Sequence, residues 1–413
     1  MNNRDDHQIM RELAIQYAEI AANPVQEERR QLWTNHNSLK PTRVPILAIF
    51  GMWNVWCRKV FGEDTLQCKH PFYRMHEQIL LMKLFEWEVS DDSIQEPWLT
   101  IDASRAGGWR SLWGVEEGQV ASYMEGGAWK FDPPIKNWDD AKKMAVVNHC
   151  IDETVTHEYA EMLHDAVGDI LPIDIRRGCA YSDFMADIST SLAGLRGLEQ
   201  VMVDMCESPN ELKKLIGYMR DGILQVQQEA EVAGDYRLTN HSSQQPCYCK
   251  ELERPAPNSG IRKRKDLWGF FAAQEFTLIS PKMHDEFLIQ YQLPIMKNFG
   301  LLHYGCCENL TRKIDILRQI PNLRSIAVSP TANVARCAEQ IGTDYVLSYR
   351  PNPADMVCCG FDEEKVRQIL SADLKAAKGS RVHIHLKDVE TLEGDTDRLR
   401  RWVQIARDTA DNI

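Results

Sequence analysis

Four times in succession the second half of the chain places a short apolar run ahead of an amphipathic helical stretch, and no other feature limits the fold as much. The runs are "GLLHYGCC" before a helix over 310–319, "LRSIAVSP" before 333–341, "DYVLSYRPNP" before 363–377 and "RVHIHLKDV" before 396–410. Repeated strand-then-helix units bury each strand against its own helix and imply a parallel sheet. Upstream, "ILPIDI", a region over 184–199, a strongly periodic helix over 209–233, and "LWGFFAAQEF" with a helix near 281–299 continue the pattern. "RVPILAIF" reads as the first buried strand, with a helix over 71–87 after it. Residues 8–33 lack glycine and space Ile9, Leu13, Tyr17 and Ile20 as a helix does, interrupted at Pro24. The expected fold class is α/β: a (β/α)8 TIM barrel, with an N-terminal helical extension over 1–40 and a single barrel over 41–413. A doubly wound sheet is the alternative, but GxGxxG and GxxxxGK[ST] elements are both missing from the sequence.

Composition narrows the partners. A formal charge of −12 over 413 residues leaves no general surface for phosphate backbones, and the one basic cluster, "IRKRK" at 261–265, reads as a solvated loop. The opening "MNNRDDHQIM" lacks the pattern of a signal peptide, and no stretch approaches the roughly 18 apolar residues of a membrane span. The expected location is the cytoplasm, with twelve cysteines as reduced thiols or ligands. Cys57, Cys68, Cys150, Cys179, Cys206 and Cys337 stand alone and read as packing.

Barrel active sites are built from the loops after the strands. The residues that fall there include Asp174, Arg176, Gln274, Glu275, Arg350, Lys387 and Asp388. "LLHYGCCENL" concentrates His303, Cys306, Cys307 and Glu308 at one strand end, and imidazole with thiolate suits zinc. Successive side chains of an extended strand face opposite sides, so one of Cys306 and Cys307 is expected to ligate. Glu275 is the expected third ligand and His385 the next candidate. Its carboxylate, following "LWGFFAAQ", needs a cation nearby. Asn240 and His241, in "NHSSQQPCYCKEL", are expected on a loop over the mouth as substrate contacts, with Tyr349 and Trp53. Trp53 and Trp56 near the first strand's end would suit an apolar or methylated ligand.

The stretches "YSDFMADISTSLAGLRGLEQVMVDMCESPNELKKLIGYMRDGI", "QEFTLISPKMHDEFLIQYQLPIMKNFG" and "LLHYGCCENL" resemble the uroporphyrinogen decarboxylase superfamily over roughly 170–410. The resemblance implies a (β/α)8 barrel, and either decarboxylation or zinc-dependent methyl transfer linked to cobalamin. Its decarboxylases carry an Arg-rich motif after the first strand; here that position reads "ILAIFGMWNVW", without Arg until Arg58. Its methyltransferases use a His-x-Cys pair and a Cys near the last strand; here the spacing is His-x-x-Cys-Cys and "RVHIHLKDV" has no Cys. The expected function is a zinc-dependent methyltransferase that moves a methyl group between a small substrate and a corrinoid (cobalamin) on a partner protein. One alternative is a metal-free decarboxylase or lyase with Glu308, Asp388 and Arg350 as acid, base and carboxylate clamp. The other is a non-catalytic barrel that binds a small molecule or corrinoid. The expected partners are thus a small-molecule substrate, a corrinoid protein and a second copy of the chain in a homodimer, with no nucleic acid and no membrane.

Overall fold

The computed structural model describes residues 5–48, 60–105, 112–116, 118–120 and 130–413. Trp53, Trp56, Cys57 and Arg58 lie outside the described residues.

The N-terminal helical stretch is two helices rather than one. Asp5 accepts the amide of Gln8 and starts α1 (Asp6–Ala21), while Pro24 stands at the start of α2 (Val25–Asn37). α1 buries Met10, Ala14 and Tyr17 in a cluster with Leu80 of the helix Pro71–Val89 and Leu163 of the helix Glu153–Val167.

The strands run β1 (Ile46–Ala48), β2 (Leu99–Asp102), β3 (Gly118–Val120), β4 (Lys130–Asp132), β5 (Ile173–Arg176), β6 (Trp268–Phe271), β7 (Leu301–Tyr304), β8 (Leu323–Val328), β9 (Val346–Tyr349) and β10 (Arg381–Leu386). Six form one curled parallel sheet in the order β1-β10-β9-β8-β7-β6. β2 and β5 form a separate parallel pair, and β3 and β4 an antiparallel hairpin. The α/β class with a parallel sheet is therefore established, and the closed eight-stranded barrel is not: among the described residues no ladder joins the two parallel sheets. β2, β3 and β4 were not legible as strands, because short runs such as "LTID" carry too little periodicity.

Between strands the helices follow local chemistry. Asn333 caps the helix Val334–Ile341 by accepting from Arg336, and Asp362 caps Glu363–Ala376 by accepting from Lys365. Gly197, at φ 88°, separates Ser189–Arg196 from Leu198–Glu207, where a side chain would be strained. The helix expected over 310–319 is a single turn, Ile314–Leu317.

Side chains alternate across the large sheet, as the pleat requires. Tyr304 and Tyr349 turn outward to the helices: the Tyr304 hydroxyl donates to Gln292 at 3.0 Å, and that of Tyr349 to Asp373. The opposite face carries His303, Ser325, Ser348, Arg350, His383 and His385, all buried. α2 closes the amino-terminal end of these strands. His36 meets His383 at 3.1 Å, and the carbonyls of Asn37, the last residue of α2, and Leu39 just past it receive Arg324 and Arg381 from the starts of β8 and β10, cations where the helix dipole favours them.

Candidate active site

A cavity of about 980 Å³ opens at the carboxyl ends of strands from both parallel sheets. Asp102 of β2, Arg176 of β5, Phe270 of β6, Cys306 after β7 and Lys387 after β10 all line it. Asp102 and Arg176 are register partners and form an ion pair at 2.6 Å.

The segment after β7 turns sharply. Gly305 has φ 102°, and a Cβ there would stand 2.8 Å from Leu310 Cδ1 and 3.0 Å from Ala327 Cβ, so glycine is required on both conformational and steric grounds. Glu308, wholly buried, fixes the turn by accepting the amides of Cys306 at 2.7 Å and Ala273 at 2.8 Å. From the other side Arg350 donates to the Cys306 carbonyl at 2.6 Å. The bend brings both thiols to one side, 3.5 Å apart, which an extended strand would not do.

Cys306 Sγ then accepts from Lys387 Nζ at 3.0 Å and from Gln244 Nε2 at 3.4 Å. Lys387 reaches it because His383, His385 and Lys387 share one face of the strand and its extension. The hydrogen bond from Cys307, with Arg350 and Lys387 nearby, pushes the Cys306 thiol down against the opposing effect of burial. The Cys307 thiol is pushed up in turn, so of the two sulfurs the surroundings favour the thiolate form at Cys306. Cys307 also faces Asp388 Oδ2 at 3.5 Å. Asp388 holds φ 56°, an uncommon backbone conformation for a side chain that lines the cavity.

His303 sits below this floor. Guanidinium can only donate, so the 3.0 Å contact from Arg350 Nη2 makes His303 Nε2 an acceptor. Nδ1 therefore carries the hydrogen and donates to Gln245 Oε1 at 3.2 Å. Burial, then Arg350, holds the imidazole neutral by pushing its pKa well down. Gln245 also accepts from Ser325 at 2.8 Å and donates to Asn37 at 2.6 Å, which joins β7, β8 and α2.

Of the residues expected in the site, Asn240, His241, Cys306, Cys307, His385 and Asp388 line the cavity. His241 pins its loop there: Nδ1 accepts the amide of Trp268 at 3.0 Å, Nε2 donates to the Glu253 carbonyl, and burial lowers its pKa to about 4. His303, Glu275, Glu308, Arg350 and Tyr349 are not among the lining residues. Glu275 accepts from Ser189 at 2.7 Å and from Thr190, so hydroxyls rather than a cation meet its charge. Of the zinc ligands expected from the sequence, Cys306, Cys307 and His385 thus share the cavity, and His303 and Glu275 do not join them. Both ring nitrogens of His303 are engaged and Glu275 is turned elsewhere. Among the described residues no three His, Cys, Asp or Glu side chains stand as a metal-holding group. As placed, the residues do not fit that zinc site. Arg176 and Lys387, expected at strand ends, do line the cavity, whereas Gln244 and Asp102 are functional candidates that the sequence reading missed; the alternation in "HIHLK" was the signal that turns Lys387 to the same face as His383 and His385.

Comparison with known proteins finds likenesses among solved structures. No family model matches the chain, and no curated protein matches it. Among solved structures it is similar to a methyltransferase from Methanosarcina mazei, with 12% identity, a TM-score of 0.49, and coverage of 92% of this chain and 98% of that one. No helix among the described residues is long and apolar enough to cross a membrane.

Proposed function

We propose that the chain is a methyltransferase acting on a small molecule in this cavity, with the Cys306 sulfur as the nucleophile that receives the methyl group. One observation carries the reading: a buried sulfur on the cavity floor lies 3.0 Å from an ammonium group. A thiolate is the soft, reactive form of cysteine, and a neighbouring cation favours it. In the proposed step the S–CH3 bond forms as the methyl–donor bond breaks, its electron pair leaving with the donor. When a second nucleophile takes the methyl group, the pair returns to Cys306, and Lys387 stabilises the thiolate as leaving group. A methylated corrinoid presented by a partner protein is the proposed donor. The decarboxylase alternative draws less support, since Glu308 and Arg350 spend their polar atoms on the β7 turn and on His303.

The test is incubation of the reduced protein with methylcobalamin, followed by mass analysis of the tryptic peptide over 298–312. One added methyl group on Cys306, absent in Cys306→Ser, is expected. An unmodified peptide would overturn the reading.

A further inference from the structure

We infer that Cys306 and Cys307 form a thiol–disulfide exchange site, which reacts with low-molecular-weight disulfides entering the cavity and closes into a bridge between the two neighbours. The inference rests on the reading of Cys306 as the reactive sulfur.

Three placements support it. The two sulfurs lie 3.5 Å apart because the bend after Gly305 turns both to one side. Lys387 is 3.0 Å from one sulfur, and Asp388 is 3.5 Å from the other. Cys306 faces the cavity while Cys307 is the exposed member, so an attacking and a resolving thiol are both in reach of a small disulfide.

The exchange balances. Cys306 sulfur attacks one sulfur of R–S–S–R; a new S–S bond forms, the old one breaks, and its electron pair leaves as RS⁻. Cys307 gives its proton to the Asp388 carboxylate and attacks Cys306 sulfur, which releases the second RS⁻. The protein thiolate and thiol together lose two electrons, and one small disulfide is reduced to two RS⁻; the Cys307 proton passes from Asp388 to one of them, and the other draws its proton from solvent. Consecutive Cα atoms are held about 3.8 Å apart, shorter than the roughly 4.4–6.8 Å usual for a bridge. A bridge between neighbours is therefore strained and readily reduced, as a reversible block on the sulfur requires.

The experiment treats the reduced full-length chain with 2-hydroxyethyl disulfide at neutral pH and follows the peptide over 298–312 by mass. The expected product is two hydrogens lighter than the dithiol, is restored by dithiothreitol, and forms at least about tenfold faster than exposed Cys206 is modified. Cys307→Ser should stop at a stable mixed disulfide on Cys306, and Cys306→Ser should form no bridge. A wild-type protein that halts at the mixed disulfide, or reacts no faster than Cys206, overturns the inference. Methylation of Cys306 measured on reduced protein separates the two claims: methylation without a bridge leaves the function standing, and a bridge without methylation does the reverse.

Discussion

The ammonium of Lys387 and the sulfur of Cys306 stand 3.0 Å apart across 81 residues of sequence. Lys387 is buried, and Arg350, also buried, holds the backbone of the same cysteine. Asp388 Oδ1 stands 3.6 Å from the Lys387 ammonium, and the proposed Cys306 thiolate gives the two cations a further counter-charge.

Metal content tests the assignment of His303 directly. Because both its nitrogens are engaged and Glu275 is bonded to Ser189 and Thr190, neither His303→Ala nor Glu275→Gln should change the zinc content of purified protein measured by elemental analysis. A strong loss in either variant would restore the ligand role.

Gln245 holds three elements together through His303, Ser325 and Asn37. Gln245→Leu leaves those buried groups without their partner and should cost about 1–3 kcal/mol in denaturant unfolding. An unchanged midpoint would show that the network is not rigid in solution.

The strand–helix alternation was legible because four apolar runs are each followed by a helical stretch, two of them capped, at Asn333 and Asp362. The location of the site was legible too, since strand ends carry the chemistry. What each polar residue does was not. Whether His303 meets a metal or a guanidinium depends on Arg350, 47 residues away, and periodicity is silent on such pairings. The adjacent cysteines read as opposed because an extended strand was assumed, whereas Gly305 ends it.

Stability should carry the mark of the buried histidines. His284, which does not line the cavity, is pushed by burial to about 3, against an ordinary value near 6.5 when unfolded. Below pH 6.5 the unfolded chain takes up a proton that the folded chain refuses, so this group destabilises as pH falls, by about 2 kcal/mol at pH 5. His284→Gln should therefore lose less stability than wild type between pH 7 and pH 5, read as the difference in unfolding free energy. Parallel pH profiles would mean that His284 protonates in the folded state.

The most direct test of the central claim is the rate of Cys306 alkylation by iodoacetamide against pH, read by mass on the peptide over 298–312, in wild type and Lys387→Met. The structure predicts that wild-type Cys306 stays reactive well below the pH at which ordinary thiols ionise, and that Lys387→Met raises the midpoint of the profile by at least about one pH unit. Superimposable profiles, or a wild-type midpoint at about 8.5 as for a free thiol, would contradict it.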